Sequence, residues 1–401
     1  MAMISFENAY KKVLDHSQNY GNEAVSLNNA TGRVLAENIV ADRDFPPYDR
    51  STKDGIAINF KAFEKGQVEY SIQGTLAAGA PQSKLNDSYD CLEIMTGAVL
   101  PENTDTVIMY EHIAIKDGKA TVIKPPILGQ NIHYQGGDEK KGAVVLHKNR
   151  KITAAEVGVL ASVGKSEVLV KKLPKITLIS TGNELVDVHE TPLPHQIRKS
   201  NMHTLTSALK EEGILPSSLH LLDEKHKIEQ SLEIALKEND VLLLSGGVSK
   251  GKYDFIPDAL QALGVQKVFH RVLQRPGKPF WFGVHKELGT VVFSFPGNPA
   301  STFANYTIYF KDWFNKTLGL PIPKIDVILK EDINIGGDLT RFIRAEAGIK
   351  NGKLYAKIIH GNGSGDLTSL VKSNGFIKLA PKTTPYKAGD LVPFIAARSI
   401  L

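Results

Sequence analysis

Apolar positions recur along this chain with two different periods, and the changes of period mark its elements. Over residues 5–15, Phe6, Tyr10, Val13 and Leu14 share one helical face, and Ser5 stands where an N-cap is wanted. Between about 42 and 140 the pattern becomes that of short strands, in runs at 68–74, 90–95 and 104–115, with Asp117-Gly118 placed as a hairpin turn. Helical spacing returns at 153–164, where Thr153 and Glu156 have the separation of a capping box. The order suggests a discontinuous helical linker domain (1–41 and 141–172) interrupted by an inserted β-rich domain (42–140).

From 174 the texture is strand–helix–strand. Apolar runs at 175–180, 214–222, 240–245 and 265–272 read as strands, with helical patterns at 200–213, 227–239 and 255–264 between them. That alternation predicts an α/β domain over 173–319, a doubly wound, mostly parallel sheet with helices on both faces. Ligands of such sheets bind beyond the carboxyl ends of the strands. After the Pro-rich stretch Gly319-Leu320-Pro321-Ile322-Pro323 the pattern is strand and turn again, with Asn351-Gly352 as a hairpin signal, so 320–401 reads as a small β-barrel or sandwich.

Composition narrows the class without naming a chemistry. With 42% hydrophobic and 23% charged residues, the chain can bury an ordinary globular core. No apolar run approaches the roughly 20 residues of a membrane-spanning helix, and the first residues lack the basic-then-apolar order of a signal peptide. A soluble cytoplasmic protein with no membrane partner is the expectation. The single cysteine, Cys91, rules out an internal disulfide and a thiolate zinc site, and its strand-like setting suggests a small buried residue. The net charge of +5 is interleaved rather than gathered into a basic tract, which argues against nucleic acid and is compatible with small anions.

The candidate chemistry gathers at strand ends. The strand at 175–180 runs into Thr181-Gly182-Asn183-Glu184, and that at 240–245 into Gly246-Gly247-Val248-Ser249, with Asp254 soon after. Glycines there let backbone N–H groups approach an oxyanion. Glu184 and Asp254 each fit helix capping, but two acids at neighbouring strand ends favour a cation or a phosphate ester. Arg275-Pro276-Gly277-Lys278-Pro279 is a rigid basic loop anchored by Phe280-Trp281-Phe282, with Arg suited to a bidentate oxyanion contact. Pro296-Gly297-Asn298-Pro299 opens a helix: Asn298 reads as its N-cap and Pro299 as its first residue, a helix start that is also an anion site only in company. Asp54 and Thr96 lie in turn-like segments of the insertion, which spacing alone leaves as plain turns.

Taken in order, DRSTKDGIA, MTGAVLPENTDTVIMYE, STGNEL, SGGVSKGKYD, RPGKP and FPGNP resemble the molybdopterin molybdenumtransferase family (MoeA-type, including the C-terminal domain of gephyrin). The resemblance covers essentially the whole chain. It implies a homodimer with its site at the subunit interface, and insertion of molybdenum from molybdate into adenylylated molybdopterin with release of AMP and help from Mg²⁺. It implies Asp54, Glu184, Asp254 and Lys278 as catalytic residues, with Glu184 and Asp254 as metal ligands. Thr96, Asp138, Gly246, Gly247, Ser249, Arg275, Pro296, Asn298, Pro299, Arg344 and Ser364 would bind substrate. The molybdopterin adenylyltransferase is an implied partner.

The chain also departs from the family pattern. Lys199 stands where an acid is usual, as do Asn183 and Gly137, and Lys250 replaces an apolar residue. Lost acids and gained lysines weaken a cation site and strengthen anion binding. Two rival readings follow: a molybdopterin- or molybdate-binding scaffold dimer without turnover, and a nucleotide pyrophosphate hydrolase.

Overall fold

The run Val241–Ser245 is buried along its whole length because it lies at the centre of a sheet covered on both faces. Val241 and Leu243 pack into one core with the aromatic residues of the neighbouring strands, while Leu242 and Leu244 pack on the other side against helices Lys225–Glu238 and Ile256–Ala262. This is a computed structural model, and it describes residues 3–248 and 254–400. The chain divides into two compact units, residues 1–23, 32–34 and 170–401, and residues 24–31 and 35–169.

In the first unit the sheet runs in the order Ser217–Leu221, Ile176–Thr181, Val241–Ser245, Thr290–Phe295, Trp281–His285 and Gln266–His270. The first four strands are parallel, as the alternation predicts. Trp281–His285 pairs antiparallel with both Thr290–Phe295 and Gln266–His270, so the run at 265–272 makes no parallel pair in this sheet. Its link to Trp281–His285 is too short for the crossover that parallel pairing needs.

Before returning to the sheet, the chain forms Val272–Arg275, which pairs in parallel with strand Thr340–Lys350. That long strand, Lys353–Ile358, Ile325–Leu329, Leu391–Ala396 and Gly375–Leu379 close into a five-stranded barrel, because the last pairs back onto the first. Asn351 and Gly352 both have positive φ, the geometry that a tight two-residue hairpin requires.

Helix Phe6–Asp15 is capped by Ser5, whose Oγ accepts from Asn8 N at 3.3 Å, and buries Phe6, Ala9 and Val13. The rod opened by Pro299 is an α-helix to Asn305, a π-helical turn over Tyr306–Phe310, and an α-helix again from Lys311 to Thr317. The wide turn is wholly buried, and its rings pack on the sheet, Tyr309 on Phe280 at 4.7 Å and Phe310 on Phe293 at 5.5 Å.

The second unit is built on a six-stranded sheet in the order Thr106–Met109, Gly55–Ile58, Asp90–Ile94, Glu69–Leu76, Lys119–Val122 and Ile113–Lys116. The Asp117-Gly118 hairpin is present, with both residues at positive φ. Helix Ala154–Ser162 carries the capping box read from Thr153 and Glu156. Cys91 is buried, and burial together with Asp90 and Glu93 pushes its thiol up to about 12, which makes it inert.

Candidate functional site

Two of the cavities in the first unit carry the candidate residues. One, of about 600 Å³, lies beyond the carboxyl ends of the central parallel strands. Thr181, Glu184, Asp223, Gly246, Gly247 and Asp254 line it, together with Lys199, Asn201 and the turn Pro296-Gly297-Asn298-Pro299. The sequence therefore located Glu184, Asp254, Gly246 and Gly247 together. Glu184 does not cap a helix, since a short strand, Leu185–Val186, follows it. Ser249 and Lys250 lie outside the described residues.

The glycines are demanded by local geometry. Gly246 has φ +99°, and a Cβ there would come within 2.9 Å of Thr181 Oγ1, while one on Gly247 would meet Ile256 at 2.7 Å. The backbone at this strand end is thus free to approach a ligand more closely than a side chain would allow.

Asn201 was not singled out from the sequence, yet its amide ties three elements. Nδ2 donates to Ser245 Oγ at 2.9 Å and to Gly297 O at 2.7 Å, and lies 3.4 Å from Thr302 Oγ1. Lys199, two residues earlier, is held at 3.1 Å by Asp187, whose carboxyl sits below its usual range through that hydrogen bond. Burial, and then Lys199, lower the pKa of nearby His220, whose Nδ1 lies 2.9 Å from Ser180 Oγ. Asp223 follows a parallel strand, a position that the strand-end rule could have flagged.

The second cavity, of about 700 Å³, lies where the sheet-edge loop meets the barrel. Arg275, Lys278, Arg341, Arg344 and His360 line it beside Ser301 and Ser364, and among the described residues no carboxylate does. The basic loop is fixed from beneath by buried amides. Gln274 Nε2 donates to Pro276 O at 3.0 Å and to Asn305 Oδ1 at 2.8 Å, Asn305 Nδ2 donates to Gly277 O at 3.3 Å, and Tyr309 OH donates to Gln274. Phe280, Trp281 and Phe282 are fully buried and anchor the loop as expected. Arg344 is tied to Ser369, to Asp366 O at 3.3 Å and to Gly363 O at 3.2 Å, and burial lowers its pKa.

Asn298 stands at the N-cap and Pro299 at the first helical position, as the sequence reads. The Asn298 side chain makes no capping hydrogen bond; Nδ2 instead donates to Ser364 Oγ at 2.8 Å, while Ala300 N donates to Ser364 O at 3.0 Å. The helix start and the barrel loop are joined there. Pro279, Pro296 and Asn298 line both cavities, so the two share a wall.

In the second unit Asp54 accepts from Thr96 N at 2.6 Å and from Thr96 Oγ1 at 2.8 Å, and these bonds hold its carboxyl below the usual range. Asp138 pairs with His133 Nε2 at 3.0 Å, and Arg50 approaches the other ring nitrogen at 3.3 Å.

Among the described residues no three His, Cys, Asp or Glu side chains converge as a metal cage. Glu184 and Asp254 nonetheless line one cavity, and Mg²⁺ usually takes one or two carboxylates with the rest from substrate phosphates and water. The donor set fits that mode only. Among the described residues no helix is long and apolar enough to cross a membrane.

An α/β sheet with a glycine-lined strand-end cavity, beside a small barrel and a basic cavity, is an arrangement suited to phosphorylated and oxyanionic small molecules. Residues 4–164 match the model of the MoeA N-terminal region (domain I and II), residues 177–314 a probable molybdopterin binding domain, and residues 326–396 the MoeA C-terminal region (domain IV). The molybdopterin molybdenumtransferase of Synechocystis is 37% identical, covering 98% of this chain and 100% of its own length. That of Bacillus subtilis is 30% identical over 98% and 94%. A crystal structure of the molybdopterin biosynthesis MoeA protein of Pyrococcus horikoshii superposes with a TM-score of 0.84 at 28% identity, covering 99% of this chain and 100% of that one. The chain belongs to the molybdopterin molybdenumtransferase family, enzymes of molybdenum cofactor biosynthesis. Neither the scaffold nor the pyrophosphate hydrolase reading is favoured by these similarities.

Proposed function

We propose that the chain transfers molybdenum from molybdate to adenylylated molybdopterin, with the two substrates held on either side of the wall formed by Pro279, Pro296 and Asn298. That shared wall is the observation that carries the reading. Gly246 and Gly247 offer close backbone approach to a phosphate in the strand-end cavity. In the basic cavity Arg275, Lys278, Arg344 and Ser364 suit a tetrahedral oxyanion, through charge-assisted hydrogen bonds at the guanidinium groups. Ser249 joins this set through the resemblance alone.

Water attacks the phosphoanhydride of the adenylylated substrate, so that AMP leaves and molybdopterin keeps its own phosphate. The two dithiolene thiols replace one oxo ligand of molybdate, which leaves as water with their protons, and molybdenum keeps its oxidation state. Glu184 and Asp254 would hold Mg²⁺ against the substrate phosphates, where it neutralises charge on the anhydride. Lys278 would hold the oxyanion toward the acceptor. The reading extends to a homodimer in which Asp54, Thr96 and Asp138 of one copy complete the site of the other, and to four parts per chain bounded near 41, 141, 172 and 320. The partner that must supply this substrate is the enzyme that adenylylates molybdopterin.

The test is purified protein with adenylylated molybdopterin, molybdate and Mg²⁺, read as AMP released and cofactor metallated. Metallation no greater than in a control without protein would sink the reading. Normal molybdate affinity without AMP release would instead identify a scaffold.

A further inference from the structure

The basic cavity carries more positive charge than its own hydrogen bonds use, and the excess sits at one pair. Arg275 and Arg341 are register neighbours on adjacent parallel strands, and both line the cavity. In-register neighbours project from the same face of a sheet, where like charges repel. No carboxylate lies along the cavity among the described residues to offset them. Arg341 donates one N–H to Ile335 O at 3.1 Å, but its Nε is out of solvent and has no hydrogen-bond partner. Burial and the nearby Arg275 both lower the pKa of Arg341. A buried donor left unpaired and like charges at neighbouring positions are each unfavourable, and one anion seated between the guanidinium groups answers both.

We propose that Arg341 is a specificity-determining residue of the oxyanion site, acting with Arg275 to select a doubly charged tetrahedral anion over a singly charged one of the same shape. The proposal rests on the assignment of molybdate to this cavity. With Arg344 engaged by the barrel loop and Lys278 on the basic loop, the Arg275–Arg341 pair supplies the second unit of charge. Perchlorate matches the tetrahedral shape of molybdate with half its charge, so preference between the two isolates the effect of charge from that of fit.

The experiment is calorimetric titration of the full-length protein with molybdate and with perchlorate, for wild type, R341Q and R341K, alongside melting temperatures without added oxyanion. R341Q is expected to weaken molybdate binding about tenfold or more while changing perchlorate binding far less, so that the preference collapses. R341K, which keeps the charge, is expected to restore most of the preference. Without oxyanion R341Q is expected to melt at or above the wild-type temperature, because a repulsion has been removed. An unchanged preference in R341Q overturns the proposal and leaves the molybdate assignment standing. A preference lost equally in R341K, together with a lowered melting temperature in both variants, also overturns it, by showing a structural role. Wild-type protein that binds no molybdate overturns the assignment and the role of Arg341 with it.

Discussion

Gly277 shows how one residue can set the position of two charges. It has φ +84°, and a Cβ there would fall 2.3 Å from Asn305 Oδ1, inside the buried network that holds the basic loop. G277A is expected to destabilise the protein by about 1–3 kcal/mol and to weaken molybdate binding, as read by thermal melting and calorimetry. Asn201 acts similarly on the strand-end cavity, since its amide is the donor to Ser245 Oγ and Gly297 O. N201A should lower kcat/KM for adenylylated molybdopterin by about tenfold or more while the far-ultraviolet circular dichroism stays unchanged, because a displaced turn misplaces the reacting groups. Wild-type kinetics in N201A would show that the three elements hold without it.

At the scale of elements, the helix Ala154–Ser162 owes its start to a reciprocal cap, Thr153 with Glu156. T153A should cost about 1 kcal/mol, measurable by denaturant unfolding. Hydrogen bonds from the Thr153 hydroxyl and backbone hold the Glu156 carboxyl down to about 2, against an ordinary value of 4.5. A carboxyl depressed in the folded state stabilises fully above its unfolded pKa and loses that contribution as pH falls through the folded one. The Glu156 contribution is therefore lost between about pH 4.5 and about pH 2. E156Q should flatten that segment of the acid-unfolding curve, and an unaltered curve would show that the cap does not couple to protonation.

For the whole molecule, the proposed homodimer makes a quantitative demand. D54N and E184Q, each inactive alone, should complement when subunits are exchanged, because a mixed dimer has one site with neither substitution. Random exchange gives about a quarter of wild-type activity. No recovery, in a mixture shown by mass measurement to contain mixed dimers, would place both residues in a site made by one chain.

The chain's own pattern determined much of this protein. The strand–helix alternation, the double burial of Val241–Ser245, the hairpins at Asp117-Gly118 and Asn351-Gly352, and the cap at Thr153 are all local, set by periodicity and turn chemistry within a few residues. Glu184, Asp254, Gly246 and Gly247 were legible for a related reason: parallel sheets put their strand ends together whatever lies between. Tertiary structure alone decided the rest. No spacing in the sequence singles out Arg341, and only the register of Thr340–Lys350 with Val272–Arg275 sets it beside Arg275. Asn298 holds the N-cap position as read, but only the barrel brings Ser364 to its amide. Positions joined across 66 residues, by register in one case and by a hydrogen bond in the other, leave no periodic trace, because the pairing depends on how separate sheets pack and not on any spacing along the chain.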